Sequence, residues 1–295
     1  MKKSILAITL LALNLWFSAP GFAKEVTIKI IPVADHIYML KGQGGNIGLF
    51  TGADGSFIID DQFAPLTDKI LAAIKSVGGD TPQILLNTHF HGDHTGGNEN
   101  IGQLGTTIIS HHNVRTRLQK GSEIKEFGMK APPAKKVALP TITFSKNMHL
   151  HINNETVIAS YVPAAHTDGD SFVQFKKANV IHAGDIFFNG FYPFIDGAHG
   201  GSLKGMIDAA DAILALSDEQ TRIIPGHGPL SNKAELQQYR AMLATTYQRL
   251  LKLKQQGKTV EQAIDNKPLQ DLDEQWGQVM FDSNRWIEII YPAVN

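Results

Sequence analysis

Six consecutive residues, His89-Phe90-His91-Gly92-Asp93-His94, gather three imidazoles and a carboxylate directly behind an apolar run. In an extended turn alternate side chains share a side, so His89 and His91 can converge on one ion. Asp93 and His94 then face a neighbouring position. Burying so many ionisable groups together is costly unless a cation neutralises and orients them. Gly92 permits the tight turn that packs them. The chemistry these residues imply is metal binding.

Three isolated polar residues stand at other strand ends. His166 lies in Pro163-Ala164-Ala165-His166-Thr167-Asp168-Gly169-Asp170. Asp185 follows the expected strand Val180 to Gly184, and His227 sits where Ile223-Ile224-Pro225 breaks into Gly226-His227-Gly228. Each alone reads as a cap or turn residue. With the cluster they make a donor set of nitrogen and oxygen only. The chain has no cysteine, which excludes disulfides, thiolate ligands and a lipid-modified N-terminal cysteine. Zinc accepts such a set when sulfur is unavailable.

The elements that must position these residues alternate along the chain. Strand-like runs open it: Val26 to Ile31, Ile37 to Leu40, Ile47 to Thr51 and Phe57 to Ile59, separated by Gly44-Gly45 and Asp54-Gly55 turns. A helical pattern from Pro65 to Val77 ends at Gly78-Gly79, and the apolar strand Ile84 to Leu86 leads into the histidine cluster. A second round gives a strand at Thr107 to Ile109, a helix at His112 to Gln119 and a Pro-rich connection around Pro132-Pro133. Strands follow at Met148 to Ile152, Thr156 to Tyr161, Phe172 to Phe175 and Val180 to His182, joined first by an Asn153-Asn154 turn. The C-terminal part is mostly helical, with Leu203 to Leu216, a short strand Arg222 to Ile224, and Lys233 to Leu253. This order fits two sheets with helices outside. No linker, repeat or low-complexity tract interrupts it, so residues 24–295 read as one domain.

Other conspicuous residues read as bystanders. His111 and His112 begin a helix in a solvated turn, His149 and His151 alternate on an exposed strand face, and His182 packs within a strand. The aromatic, Gly-rich segment Phe187 to Gly201, with Phe188, Asn189, Tyr192, Phe194 and His199, reads as a pocket-lining loop or a packed surface loop.

The ordered set His89-x-His91-x-Asp93-His94, His166, Asp185 and His227 resembles the metallo-β-lactamase superfamily over about Val26 to Leu253. The resemblance implies an α/β fold, a four-layer αββα sandwich with metals on loops at one edge of the sheets. Carried over by position, His89, His91 and His166 would hold a first zinc, and Asp93, His94 and His227 a second. Asp185 would bridge both. Asp60, ending the strand Phe57 to Ile59, resembles the family's aspartate that supports the ligands from behind; a turn cap is the other reading. Zinc-bound water titrates near pH ~7 instead of ~15.7, so a hydroxide shared by two ions would attack an acyl carbon at neutral pH. One ion would polarise the carbonyl, the other would accept the leaving atom, and Asp93 would orient the hydroxide.

The implied substrate is a small molecule with a β-lactam, thioester, lactone or ester bond. Asp185 stands where the lactamase patterns place Cys or Ser, and in this resembles glyoxalase II and lactonase-type members. A glyoxalase II-like thioester hydrolase is therefore an alternative. So is a non-catalytic periplasmic metal-binding accessory protein, although the complete ligand set argues against it. Basic and acidic residues nearly cancel, 27 against 28, which disfavours nucleic acid as a partner. Lys2-Lys3, the apolar run Ile5 to Phe17 and Ala19, Gly21 and Ala23 predict a signal peptide cleaved after Ala23, with a periplasmic or secreted product and no stable membrane insertion afterwards.

Overall fold

Alternation along the strands builds the layers. The computed structural model describes residues 25–294; the expected signal peptide and its cleavage site lie outside the described residues. Strands β1 (Lys29–Ala34), β2 (Ile37–Lys41), β3 (Ile47–Phe50), β4 (Phe57–Ile59), β5 (Ile84–Asn87) and β6 (Thr107–His111) lie side by side in chain order. β1 to β4 run antiparallel, and β4 to β6 run parallel. Helix α1 (Thr67–Ser76) makes the crossover between β4 and β5. Helices α2 (Gly92–Thr95) and α3 (Asn98–Gln103) make the next, between β5 and β6.

On β4, Ile58 faces outward to α1 with Leu85 of β5 and Ile108 of β6, while Phe57 and Ile59 face inward with Leu86 and Ile109. That two-residue period separates two apolar seams on the two faces of one sheet. Helix α4 (His112–Lys120) leads to a hairpin of β7 (Ser122–Ile124) and β8 (Met129–Ala131), after which β9 (Ile142–Phe144) joins the first sheet beside β6. The reading of this stretch as a plain Pro-rich connection misses the hairpin. Its arms are only three residues each, too short to show a period.

The second sheet runs β10 (Asn147–Ile152), β11 (Glu155–Tyr161), β12 (Ser171–Phe175), β13 (Val180–Phe188), β14 (Arg222–His227) and β15 (Ser231–Asn232). Its inner side chains, among them Val157, Val173, Val180 and Ile224, meet those of the first sheet. Its outer ones, including Ile181, Phe187 and Ile223, pack under α5 (Leu203–Leu216), α6 (Lys233–Gln255) and α9 (Ser283–Ile290). The result is the αββα sandwich: helices, sheet, sheet, helices. Short helices α7 (Val260–Asp265) and α8 (Asp273–Trp276) complete the outer layer.

Two expectations change. β13 extends to Phe188, so Asp185 lies inside the strand rather than after it. Gly184, at φ 52°, breaks the pairing with β14 locally, and register resumes at Phe188 beside His227. His111 is not in a solvated turn. It ends β6 with 1% of its surface exposed, stacked on Tyr161 at 3.8 Å. The alternation of β6 turns it inward, whereas His112 starts the helix outside. His149 and His151 are exposed on β10, and His182 is buried, as expected.

Candidate metal centre

The loops at one edge of both sheets bring the ligand candidates together. β5 delivers His89; the chain then turns into α2, where His94 N–H donates to His91 C=O at 3.0 Å. From the second sheet come His166, between β11 and β12, Asp185 on β13, and His227 ending β14. The loop around His166 is tied to the start of α5. Ser202 N–H donates to Ala165 C=O and Ser202 Oγ to Ala164 C=O, while the same Oγ caps the helix at Gly205 N.

Two groups result. His89, His91, His166 and Asp185 form one, and Asp93, His94 and His227 the other, with one donor atom from each member within 4.8 Å of the rest of its group. Asp185 reaches both. Its Oδ2 lies 3.4 Å from His166 Nε2 and 3.4 Å from His227 Nε2, and its Oδ1 lies 3.0 Å from His94 Nε2.

The hydrogen bonds behind the imidazoles decide which nitrogen is free. His166 Nδ1 donates to Phe194 C=O at 2.8 Å, and His91 Nε2 donates to Asp196 Oδ2 at 2.9 Å. The remaining nitrogens, His166 Nε2 and His91 Nδ1, then carry bare lone pairs that face each other at 2.8 Å. Thr88 Oγ1 donates to Asp60 Oδ2 and so accepts from His89 Nδ1, leaving His89 Nε2 buried without a partner. Asp60 Oδ2 also accepts from His94 Nδ1 at 2.8 Å. Three inward nitrogens without protons, His91 Nδ1, His166 Nε2 and His89 Nε2, repel one another unless a cation sits among them. The donor set therefore fits a metal such as zinc, with nitrogen and carboxylate oxygen and an outer support for these four rings.

The protonation pattern of the metal-free chain agrees. Burial drives His89 well below the usual histidine range and His166 down to about 4. Burial also opposes charge on His94 and His227, but Asp185 and Asp93 outweigh it; His94 rises well above its usual value and His227 to about 9. Burial would raise Asp93, yet His94 and His227 hold it at about 2. Protons thus occupy the second group where a cation is favoured.

Two glycines are required by close approach. A Cβ on Gly45 would sit 2.1 Å from the His94 ring, and one on Gly226 would sit 2.1 Å from Asp185 Oδ1. Asp60 is wholly buried at φ 64°, and its Oδ1 accepts from Thr88 N–H, so it serves the ligand rings rather than only capping a turn.

The sequence profile of the metallo-beta-lactamase superfamily matches residues 40–227, well over half of the chain, spanning all seven residues. The chain belongs to the metallo-beta-lactamase superfamily. A hydroxyacylglutathione hydrolase of Nitrosococcus oceani is 30% identical over 165 residues, 56% of this chain and 55% of that protein. The match thus spans about half the length of the curated relative. Among solved structures, a metallo-beta-lactamase from Pontibacter korlensis superposes with a TM-score of 0.60 at 14% identity, covering 74% of this chain and 99% of that one. A Cronobacter sakazakii metallo-beta-lactamase gives 0.63 at 16% identity over 78% and 96%. These structural likenesses establish the shared fold.

Asp196 escaped the sequence reading. It lies within the flagged segment Phe187 to Gly201 but looks like any loop aspartate, and its contact to His91 spans 105 residues. The segment itself divides: Phe188 and Phe194 line the cleft over the ligands, whereas Tyr192 is buried against Trp286 at 4.3 Å. Asn189 bonds Glu235, and His199 donates to Asp196 at 2.6 Å.

Proposed function

We propose that this chain is an exported, zinc-dependent hydrolase that cleaves an acyl bond, β-lactam, thioester, lactone or ester, with two ions per chain. Asp185, within reach of nitrogens from both ligand groups, is the observation that carries this reading. Bound there, zinc would supply Lewis acidity and lower the pKa of water toward ~7. The remaining work falls to the chain. His89, His91 and His166, held from behind, keep one position rigid. Asp93, ionised at neutral pH and facing the cleft, orients the attacking water by accepting a hydrogen bond from it. The water oxygen bonds to the acyl carbon, the bond to nitrogen, oxygen or sulfur breaks, and the water's proton passes to that leaving atom.

Among these bonds, the thioester is favoured by the aspartate at position 185 and by the likeness to a hydroxyacylglutathione hydrolase. Export is supported by the Lys2-Lys3, apolar and Ala19-to-Ala23 pattern, and among the described residues no helix is long and apolar enough to cross a membrane. The near balance of 27 basic against 28 acidic residues supports a small-molecule partner over nucleic acid.

The test is elemental analysis of zinc-saturated protein together with β-lactam, glutathione thioester, lactone and phosphodiester substrates. Two ions and turnover of an acyl substrate, lost with chelator and restored by zinc, are expected. One ion or fewer, or turnover of the phosphodiester alone, overturns the reading. N-terminal sequencing of secreted protein should begin at Lys24.

A further inference from the structure

One face of the cleft over the ligand groups is polar, made of the candidate ligands themselves. Besides Gln43, Phe63 and Gly92, the rest is a wall of Ile124, Phe127, Met129, Phe188, Phe194 and Met280. Its parts come from three separate places: the β7–β8 hairpin, the segment after Asp185, and the C-terminal stretch before α9. Phe127, at the hairpin tip, packs on Phe194 at 4.9 Å and Phe281 at 6.0 Å. Phe194 in turn lies 5.9 Å from the His91 ring and 5.8 Å from the His166 ring, so the wall is continuous with the ligands.

Phe127, Met129 and Met280 remain 43%, 46% and 37% exposed. Large apolar side chains left open around a site of chemistry mark a recognition surface. Charge points the same way. Among the described residues no lysine or arginine lines the cleft, and the hairpin's Lys125 and Lys130 are exposed outside it, Lys130 paired with Glu123. A carboxylate on the acyl chain would lose hydration against this wall and gain no cationic partner there. The cleft volume is about 190 Å³. An apolar cavity of about 150 Å³ takes up benzene, so one ring or a chain of similar bulk fits.

We propose that the wall selects substrates with an uncharged, apolar acyl group, and that Phe127, Met129 and Met280 determine that specificity. This rests on the acyl-hydrolase reading above. A substrate of this class places its acyl carbon over the ligand groups and its chain or ring under the hairpin. Each buried methylene contributes about 0.8 kcal/mol, about fourfold in kcat/KM until the cleft is full.

The experiment compares p-nitrophenyl acetate, butyrate and hexanoate with the adipate half-ester, a hexanoate-length chain ending in carboxylate, on zinc-loaded full-length protein. Rising kcat/KM from acetate to hexanoate is expected, with the adipate half-ester at least tenfold below hexanoate. Phe127→Ala should flatten the rise, and Phe127→Lys should invert the preference between hexanoate and the half-ester. A flat series, or preference for the half-ester in the parent, overturns the proposal while leaving a hydrolase. Saturation-transfer NMR with hexanamide and adipamic acid, run with the metal chelated, reads binding without turnover. Hexanamide bound and adipamic acid not, with Phe127→Lys abolishing the contact, supports the wall even if no ester is cleaved. Equal binding of both overturns it.

Discussion

The two ligand groups differ in depth and in what supports them. His89, His91, His166 and Asp185 are all at most 5% exposed, whereas Asp93 and His227 keep 26% and 19% of their side chains open to the cleft. Each imidazole of the deep group donates its other nitrogen to an oxygen of the fold: Thr88 Oγ1, Asp196 Oδ2 or Phe194 C=O. In the outward group Asp60 fixes His94, while Asp93 and His227 lean on each other at 3.2 Å. Without metal, His89 and His166 stay neutral and ready to ligate, but His94 and His227 carry protons that a metal must displace. One half is preorganised to retain an ion. The other is open to water and substrate.

The largest effect should come from Asp60, which lies beneath both groups. Asp60→Ala strips His94 Nδ1 and Thr88 N–H of their acceptor inside the protein. Breaking a buried pair costs about 3–5 kcal/mol, or roughly 10 °C in Tm at this size. Calorimetry and elemental analysis should show that loss together with both metals; loss of one metal alone would confine Asp60 to one group.

His91→Ala and His227→Ala should separate the halves. Each loses a direct ligand, so the cost should be at least the ~10–100-fold in affinity found when an outer partner is lost. Zinc titration should show the deep site weakened only by His91→Ala and the outward site only by His227→Ala. Equal loss of both sites in either variant would break the comparison.

Asp196→Asn sharpens it further, since Asp196 touches only the deep group through His91, with His199 on the same oxygen. About tenfold weaker binding at that site and an unchanged outward site are expected by zinc titration. Weakening of both would mean that Asp196 acts by holding the whole loop.

The smallest effect concerns Asp170, behind the deep group, whose carboxylate accepts from Thr167 N and Oγ1 at 2.7 and 2.6 Å. Burial raises its pKa from 3.8 to about 6. A raised carboxyl favours its protonated form, so its stabilising contribution is present below pH ~4 and lost as pH rises through about 6. In metal-free protein the Tm of Asp170→Asn relative to the parent should climb by a few degrees between pH 4 and 7. A constant difference would show that Asp170 is already ionised.

Much of this was legible in the sequence because it is encoded locally. The apolar run Phe57 to Ile59 beyond its Asp54-Gly55 turn, the apolar run before His89 and the packing of three histidines into six residues are all short-range signals. Local chemistry also disclosed that sulfur takes no part, and that the seven donors suit a metal. Tertiary structure alone decided what stands behind and above them. Asp196 reaches His91 across 105 residues, a contact that no local period records, and Asp60, to which only the family resemblance points, reaches His94 across 34. The hairpin carrying Phe127 has arms too short to announce themselves, and Met280 arrives from the far end of the chain. His111 was misread because the face of a strand residue depends on the register of its neighbours. Donor types are a property of residues, but which lone pair is free and which wall the substrate meets are set by packing between distant segments.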